Sequence, residues 1–190
     1  LNLGTTAVIL TGPGPGDVYG PHVRGFVNDG RPIAKITYFA YSTLKFGVNV
    51  SAGDVDGDVP HEMVTGPGSG PSFGPHVRGW NFESETLTPI SKISFFAYGT
   101  LKFGVNINEG SVDADVYEEI LTGPGPGPMF GPQVRGFSYD AATIAAINRI
   151  SFTPYTPNQY GVNVAAGDVD LDGYHEIATA PGPGPSASFP

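Results

Sequence analysis

The chain has 190 residues, a formal charge of −9, no cysteine, 28 glycines and 19 prolines. That length supports one ordinary domain with a sizeable core, and the lack of cysteine excludes a disulfide framework. The acidic balance argues against nucleic acid as a partner, and no run approaches the length of a membrane span. Glycine and proline fall at fixed places between runs rich in Val, Ile, Phe and Tyr, which reads as all-β with obligatory turns rather than as low complexity. The chain opens at Leu1 without a methionine and shows no signal peptide, so it is expected to be a mature or excised portion of something longer.

A repeat organises the elements. Gly47-Val48-Asn49-Val50, Gly104-Val105-Asn106-Ile107 and Gly161-Val162-Asn163-Val164 lie 57 residues apart both times. Thr65-Gly66-Pro67-Gly68 returns 57 residues on at Thr122, and an earlier copy at Thr11 sits 54 before it. The units are 1–46, 47–103, 104–160 and 161–190, the first and last incomplete. Unit one is expected to begin at its second strand, near Thr5 to Leu10. A complete unit has strands near Gly104 to Glu109, Glu119 to Gly123, Gln133 to Ser138 and Arg149 to Thr153. Ile90 to Tyr98 alternates best, placing Ile93, Phe95 and Ala97 on one face. Asp140 to Asn148 is the one stretch with room for a helical turn or two. The last strand is expected at Glu176 to Ala180, giving thirteen strands in groups of three, four, four and two.

Four antiparallel strands in a repeat of about 40 to 60 residues is the arithmetic of a β-propeller blade. The expected fold is therefore all-β, about three blades' worth of propeller. Closed propellers have at least about four blades. The array is accordingly expected to be completed by another chain or by sequence outside this stretch.

The most informative stretch is Asp168-Val169-Asp170-Leu171-Asp172-Gly173-Tyr174-His175-Glu176. Acids stand at loop positions one, three, five and nine, where a tight turn aims alternate side chains at a common centre. Carboxylates that close repel one another unless a cation sits among them, and an all-oxygen site of this size suits calcium. The window recurs as Asp54, Asp56, Asp58 and Glu62, and as Ser111, Asp113, Asp115 and Glu119. The acids just named are eleven of the eighteen Asp and Glu residues, so the acidity reads as a metal-site signature for up to three Ca2+. An EF-hand is excluded, because its last acid stands at position twelve between helices.

Phe46-Gly47, the acidic loop and then Gly66-Pro67-Gly68 resemble the FG-GAP repeat of integrin α-subunit-type β-propellers. Phe103-Gly104 with Gly123-Pro124-Gly125, and Tyr160-Gly161 with Ala180-Pro181-Gly182, repeat the pattern across essentially the whole chain. The resemblance implies a loop joining the first two strands of each blade and braced by metal. It also implies backbone carbonyl ligands at position seven, which are Pro60, Tyr117 and Tyr174. The chain departs from the family in having Glu rather than Asp at position nine. Only Gly173 keeps the glycine that normally follows the third acid, with Val59 and Val116 elsewhere. A β-branched residue is strained there if the turn needs φ > 0, so affinity is expected to fall from the third loop to the first to the second.

Other recurring residues divide between structure and binding. His22, His76 and Gln133 read as hydrogen-bonding strand residues. Arg24, Arg78 and Arg135 read as structural partners of a carboxylate or carbonyl, with a ring of guanidinium groups for an acidic ligand as the sharper reading. Tyr19, Phe73, Phe130, Phe26, Trp80 and Phe137 read as core between blades; a set facing outward would instead stack on sugar rings. The Gly-Pro-Gly segments read as turns, since no Lys-Ser/Thr follows. No nucleophile motif is present and the paired acids are committed to metal, so no enzyme is expected. The expected role is a calcium-stabilised, secreted or cell-surface binding or adhesion module with a protein or glycan ligand. The alternatives are a structural unit of a surface layer or fibre, self-associating through incomplete terminal blades, and a lectin.

Overall fold

The computed structural model describes residues 7–42, 44–58, 60–113, 115–156 and 160–184. Among them the chain is all-β, with thirteen strands and no helix. The first sheet holds β1 (Val8–Thr11), β2 (His22–Val27) and β3 (Pro32–Phe39). The second holds β4 (Val48–Gly53), β5 (Glu62–Pro67), β6 (His76–Glu83) and β7 (Thr86–Phe96). The third repeats it with β8 (Val105–Gly110), β9 (Glu119–Pro124), β10 (Val134–Tyr139) and β11 (Ile144–Phe152). The fourth is the hairpin β12 (Val162–Gly167) and β13 (Glu176–Pro181). Every sheet runs in sequence order with antiparallel neighbours, and none closes into a barrel.

Consecutive sheets stack face to face, and each joint has its own apolar cluster. Val8, Val23, Ile36, Val48, Met63 and Trp80 fill the first joint. Val64, Val77, Ile93, Val105, Ile107 and Ile120 fill the second, and Leu121, Val134, Ile150 and Val162 the third. The alternation over Ile93, Phe95 and Ala97 emerges as expected, since all three belong to the second cluster. All six residues of β5 and of β9 are buried, because a neighbouring sheet covers each of their faces.

Polar groups clamp the joints at repeat spacing. The Tyr41 hydroxyl donates to the Thr65 carbonyl at 2.8 Å, Tyr98 to Thr122 at 2.9 Å and Tyr155 to Thr179 at 2.7 Å. Asn49 Nδ2 donates to the Val105 carbonyl at 2.7 Å, and Asn106 Nδ2 to Val162 at 2.8 Å. These bonds satisfy carbonyls that the packing would otherwise strand away from water.

Two readings need correction. Asp140 to Asn148 contains no helical turn: the Asp140 carboxylate accepts from the Ala142 and Thr143 amides at 3.0 and 2.6 Å, and Ile144 then starts β11. The fourth strand thus begins five residues before Arg149. Gly66-Pro67 and Gly123-Pro124 lie inside strands β5 and β9, and Ala180-Pro181 inside β13, rather than in turns. Glycine is needed there for close approach. A Cβ on Gly66 would sit 2.5 Å from the Val105 carbonyl oxygen and 2.7 Å from Val105 Cγ1. The aromatic-glycine pairs do the turning: Phe46 and Gly47 have φ of 80° and 66°, with Phe103, Gly104, Tyr160 and Gly161 alike. Each aromatic ring packs on a glycine of the Gly-rich segment, Phe46 on Gly70 and Phe103 on Gly127.

Replacing Gly66 by Ala is expected to destabilise the chain by about 1–3 kcal/mol through overpacking of a joint. A lowered urea midpoint with an unchanged slope would show it.

Candidate metal centres

The three acidic loops close the hairpins β4–β5, β8–β9 and β12–β13. Strand register fixes them alike: Gly53 pairs with Glu62, Gly110 with Glu119 and Gly167 with Glu176. The acid at position nine therefore opens the returning strand. Its Oε2 accepts from the position-two amide, at 3.2 Å for Val55 and Glu62, 2.9 Å for Val112 and Glu119, and 2.8 Å for Val169 and Glu176. Carboxylate oxygens of Asp54, Asp56 and Glu62 all lie within 4.8 Å of one another. The same holds for Asp113, Asp115 and Glu119, and for Asp168, Asp170 and Glu176.

The remaining predicted residues differ from loop to loop. Asp58 and Asp172 stand outside these groups, whereas Asp115 at the same position belongs to one. The Asp172 carboxylate accepts from the Tyr174 amide at 2.9 Å. Ser111 offers its carbonyl to the His175 amide of the next loop at 2.7 Å, just as the Asp54 carbonyl accepts from Glu118 at 2.7 Å. The loops are thereby linked to one another in series. Pro60 is half-buried, and the Tyr117 ring lies 2.9 Å from where a Gly57 Cβ would be. Val59 is outside the described residues. Val116 is not in the left-handed region, which corrects the strain expected of it. Among the described loop residues, the left-handed ones are Gly57 (φ 80°), Leu171 (φ 66°) and Gly173 (φ 92°). The second loop turns without asking Val116 for positive φ, and the strained side chain is Leu171.

Burial makes these clusters electrostatically unbalanced. Glu62 and Glu119 are wholly buried, and Oε1 of each has no hydrogen-bond partner. Burial, aided by the neighbouring Asp56 charge, pushes the Glu62 carboxyl up to about 8. Burial likewise raises Glu119 to about 7, with Asp113 and Asp115 adding to it. Burial and the Asp58 charge also raise Asp56. An unpaired, buried carboxylate oxygen facing other acids is the donor arrangement a hard cation needs, so the residues present fit such an ion. Glu176 has the same amide bond but is exposed.

Arg149 was not singled out in the sequence. Its guanidinium lies 2.5 Å from Asp113 Oδ2 and already balances part of the second cluster. The signal was available, since Lys35, Lys92 and Arg149 recur at the repeat spacing.

The other repeated residues serve the sheets. Arg78 and Arg135 donate to the Ala40 and Ala97 carbonyls of the preceding sheet, the latter at 2.8 Å, and Arg24 lies over the Phe26 ring. His22, His76 and Gln133 bond across to Thr37, Ser94 and Ser151 at 2.9, 3.0 and 3.3 Å. Trp80 and Phe137 are buried, and Phe73 and Phe130 pack on Tyr41 and Tyr98. Phe26 is half-buried, and Tyr19 is exposed. No helix among the described residues is long and apolar enough to cross a membrane. Comparison of the chain with protein-family models, with curated proteins and with solved structures finds no match.

The raised carboxyls set a pH dependence for the metal-free chain. Between about pH 4.5, where an unfolded Glu loses its proton, and the folded values of about 7 to 8, the native state holds protons that the unfolded state has released. Stability in chelator is therefore expected to fall as pH rises through that window, in urea denaturation at pH 5 and pH 8.

Proposed function

We propose that the chain is a calcium-stabilised binding or adhesion module of the FG-GAP propeller type, working at the cell exterior without catalysing a reaction. The reading rests chiefly on the unpartnered Glu62 and Glu119 oxygens, each buried against two aspartates in a hairpin loop. Calcium is the natural occupant, because it takes six to eight oxygens in flexible geometry, whereas magnesium demands near-ideal octahedra and keeps its waters. Asp54, Asp56, Asp58 and Glu62 form the first donor set, Ser111, Asp113, Asp115 and Glu119 the second, and Asp168, Asp170, Asp172 and Glu176 the third, with Pro60, Tyr117 and Tyr174 offering carbonyls. Four-stranded sheets stacked in chain order are what blades of an open propeller arc would present.

An ion in one loop would stiffen the next, since the Asp54 and Ser111 carbonyls are tied to the following loops. In this reading calcium maintains a rigid stack, and the ligand meets the surface that the stack displays. A second reading, a building block of an extracellular layer, is favoured by β13. This strand alternates between half-buried and exposed where β5 and β9 are wholly buried, so its sheet presents the kind of face that a further sheet covers at the internal joints. Light scattering that grows on calcium addition would support it.

Calcium at about 100 times its dissociation constant is expected to add about 2.7 kcal/mol per site to stability. Thermal denaturation in calcium and in chelator checks this, and identical curves would overturn the reading. Among Asp56→Asn, Asp113→Asn and Asp170→Asn, calorimetry is expected to show the smallest loss for Asp113→Asn. The second loop has one acid fewer at its donor positions, where Ser111 replaces Asp, and an arginine on Asp113, so it binds most weakly to begin with.

A further inference from the structure

The joint between the second and third sheets encloses an acid that none of the loops uses. Glu109, on β8, is 5 % exposed, and both of its carboxylate oxygens are shut away from water with no hydrogen-bond partner. It shares a notch with Glu118. A Cβ on Gly53 would lie 2.7 Å from Glu109 Cβ and would run into Glu118 Oε2, which reaches over the same glycine. Ser51, on β4, stands beside them and accepts from Asn108 Nδ2 at 3.4 Å.

The repeat supplies its own comparison. Where unit three has Glu109, its neighbours have Ala52 and Ala166, and where it has Glu118 they have His61 and His175. At the following joint, Gly110 accordingly meets Ala166 and His175 in place of two acids. The two carboxylates thus occur together at one joint only. A pair of like charges in a dry notch repel strongly, and both Glu109 oxygens lack the donors that a buried carboxylate requires.

We propose that Glu109 and Glu118, with Ser51 beside Glu109, hold a divalent cation between the second and third sheets, distinct from the donor sets of the three acidic loops. The donors are all oxygen, which selects a hard ion such as calcium, magnesium or manganese. Two carboxylates balance its charge. Glu109 supplies both oxygens from the buried side, and the half-buried Glu118 closes the site from the solvent side, which is the path of entry. The ion joins β8 and its loop to β4 across the joint and acts as a staple between sheets. Glu118 stands at position eight of the second loop, next to Glu119 but outside the donor positions one, three, five, seven and nine.

The test counts ions. Calorimetric titration with calcium chloride, and separately with manganese chloride, is run on the full chain, on Glu109→Ala and on Glu109→Gln. Alanine is the residue that both neighbouring units have at this place, and glutamine keeps the volume. One ion fewer per chain in both variants is expected, whatever number the loops take up. Calcium should also raise the melting temperature of the unaltered chain more than that of either variant. Equal stoichiometry and equal rises in all three proteins would overturn the site. Because the measurement is a difference of one ion, failure of the acidic loops to bind would lower all three counts together and would not imitate that result.

Discussion

The close approach of consecutive sheets is the constraint on which the rest depends. At each joint the second strand of one sheet lies so near the first strand of the next that only glycine fits against the facing valine carbonyl, at Gly12, Gly66 and Gly123. That separation lets tyrosine and asparagine side chains bond to carbonyls in the neighbouring sheet. It also removes water from the far end of the same strands, where Glu62 and Glu119 begin β5 and β9. The unbalanced carboxylates therefore follow from packing. Acids on an open hairpin would be solvated and unremarkable, whereas a covering sheet leaves one oxygen of each without a partner.

Much of this was legible in the sequence because the repeat multiplies every signal. Three copies of Gly-Val-Asn in one register fixed the number and order of strands, and three acids of each loop cluster, with Asp58 and Asp172 left outside. What local pattern could not convey was contact between units. The glycine of Gly-Pro-Gly looks like a turn residue when read alone, and its reason appears only when Val105 is placed against it. Asp140 to Asn148 misled because its alanines suit a helix, whereas Asp140 capping the amides of a short turn sends the chain straight into β11. Val116 misled in a similar way: the family pattern put the left-handed residue at position six, while this chain also uses position four, at Gly57 and Leu171. Arg149 escaped notice because its partner Asp113 is remote in sequence.

Differences between copies separate what the loop sequence does from what its neighbour does. Glu62 and Glu176 have the same register, the same amide bond and the same two aspartates, yet the first is buried and the second exposed. The covering sheet is the difference. An ion bound by the first loop replaces water that the joint has expelled, so its affinity and the stability of the joint are linked quantities. Loosening the second and third sheets would rehydrate Glu62 and weaken the cation, and removing the cation would leave a buried charge pressing the sheets apart.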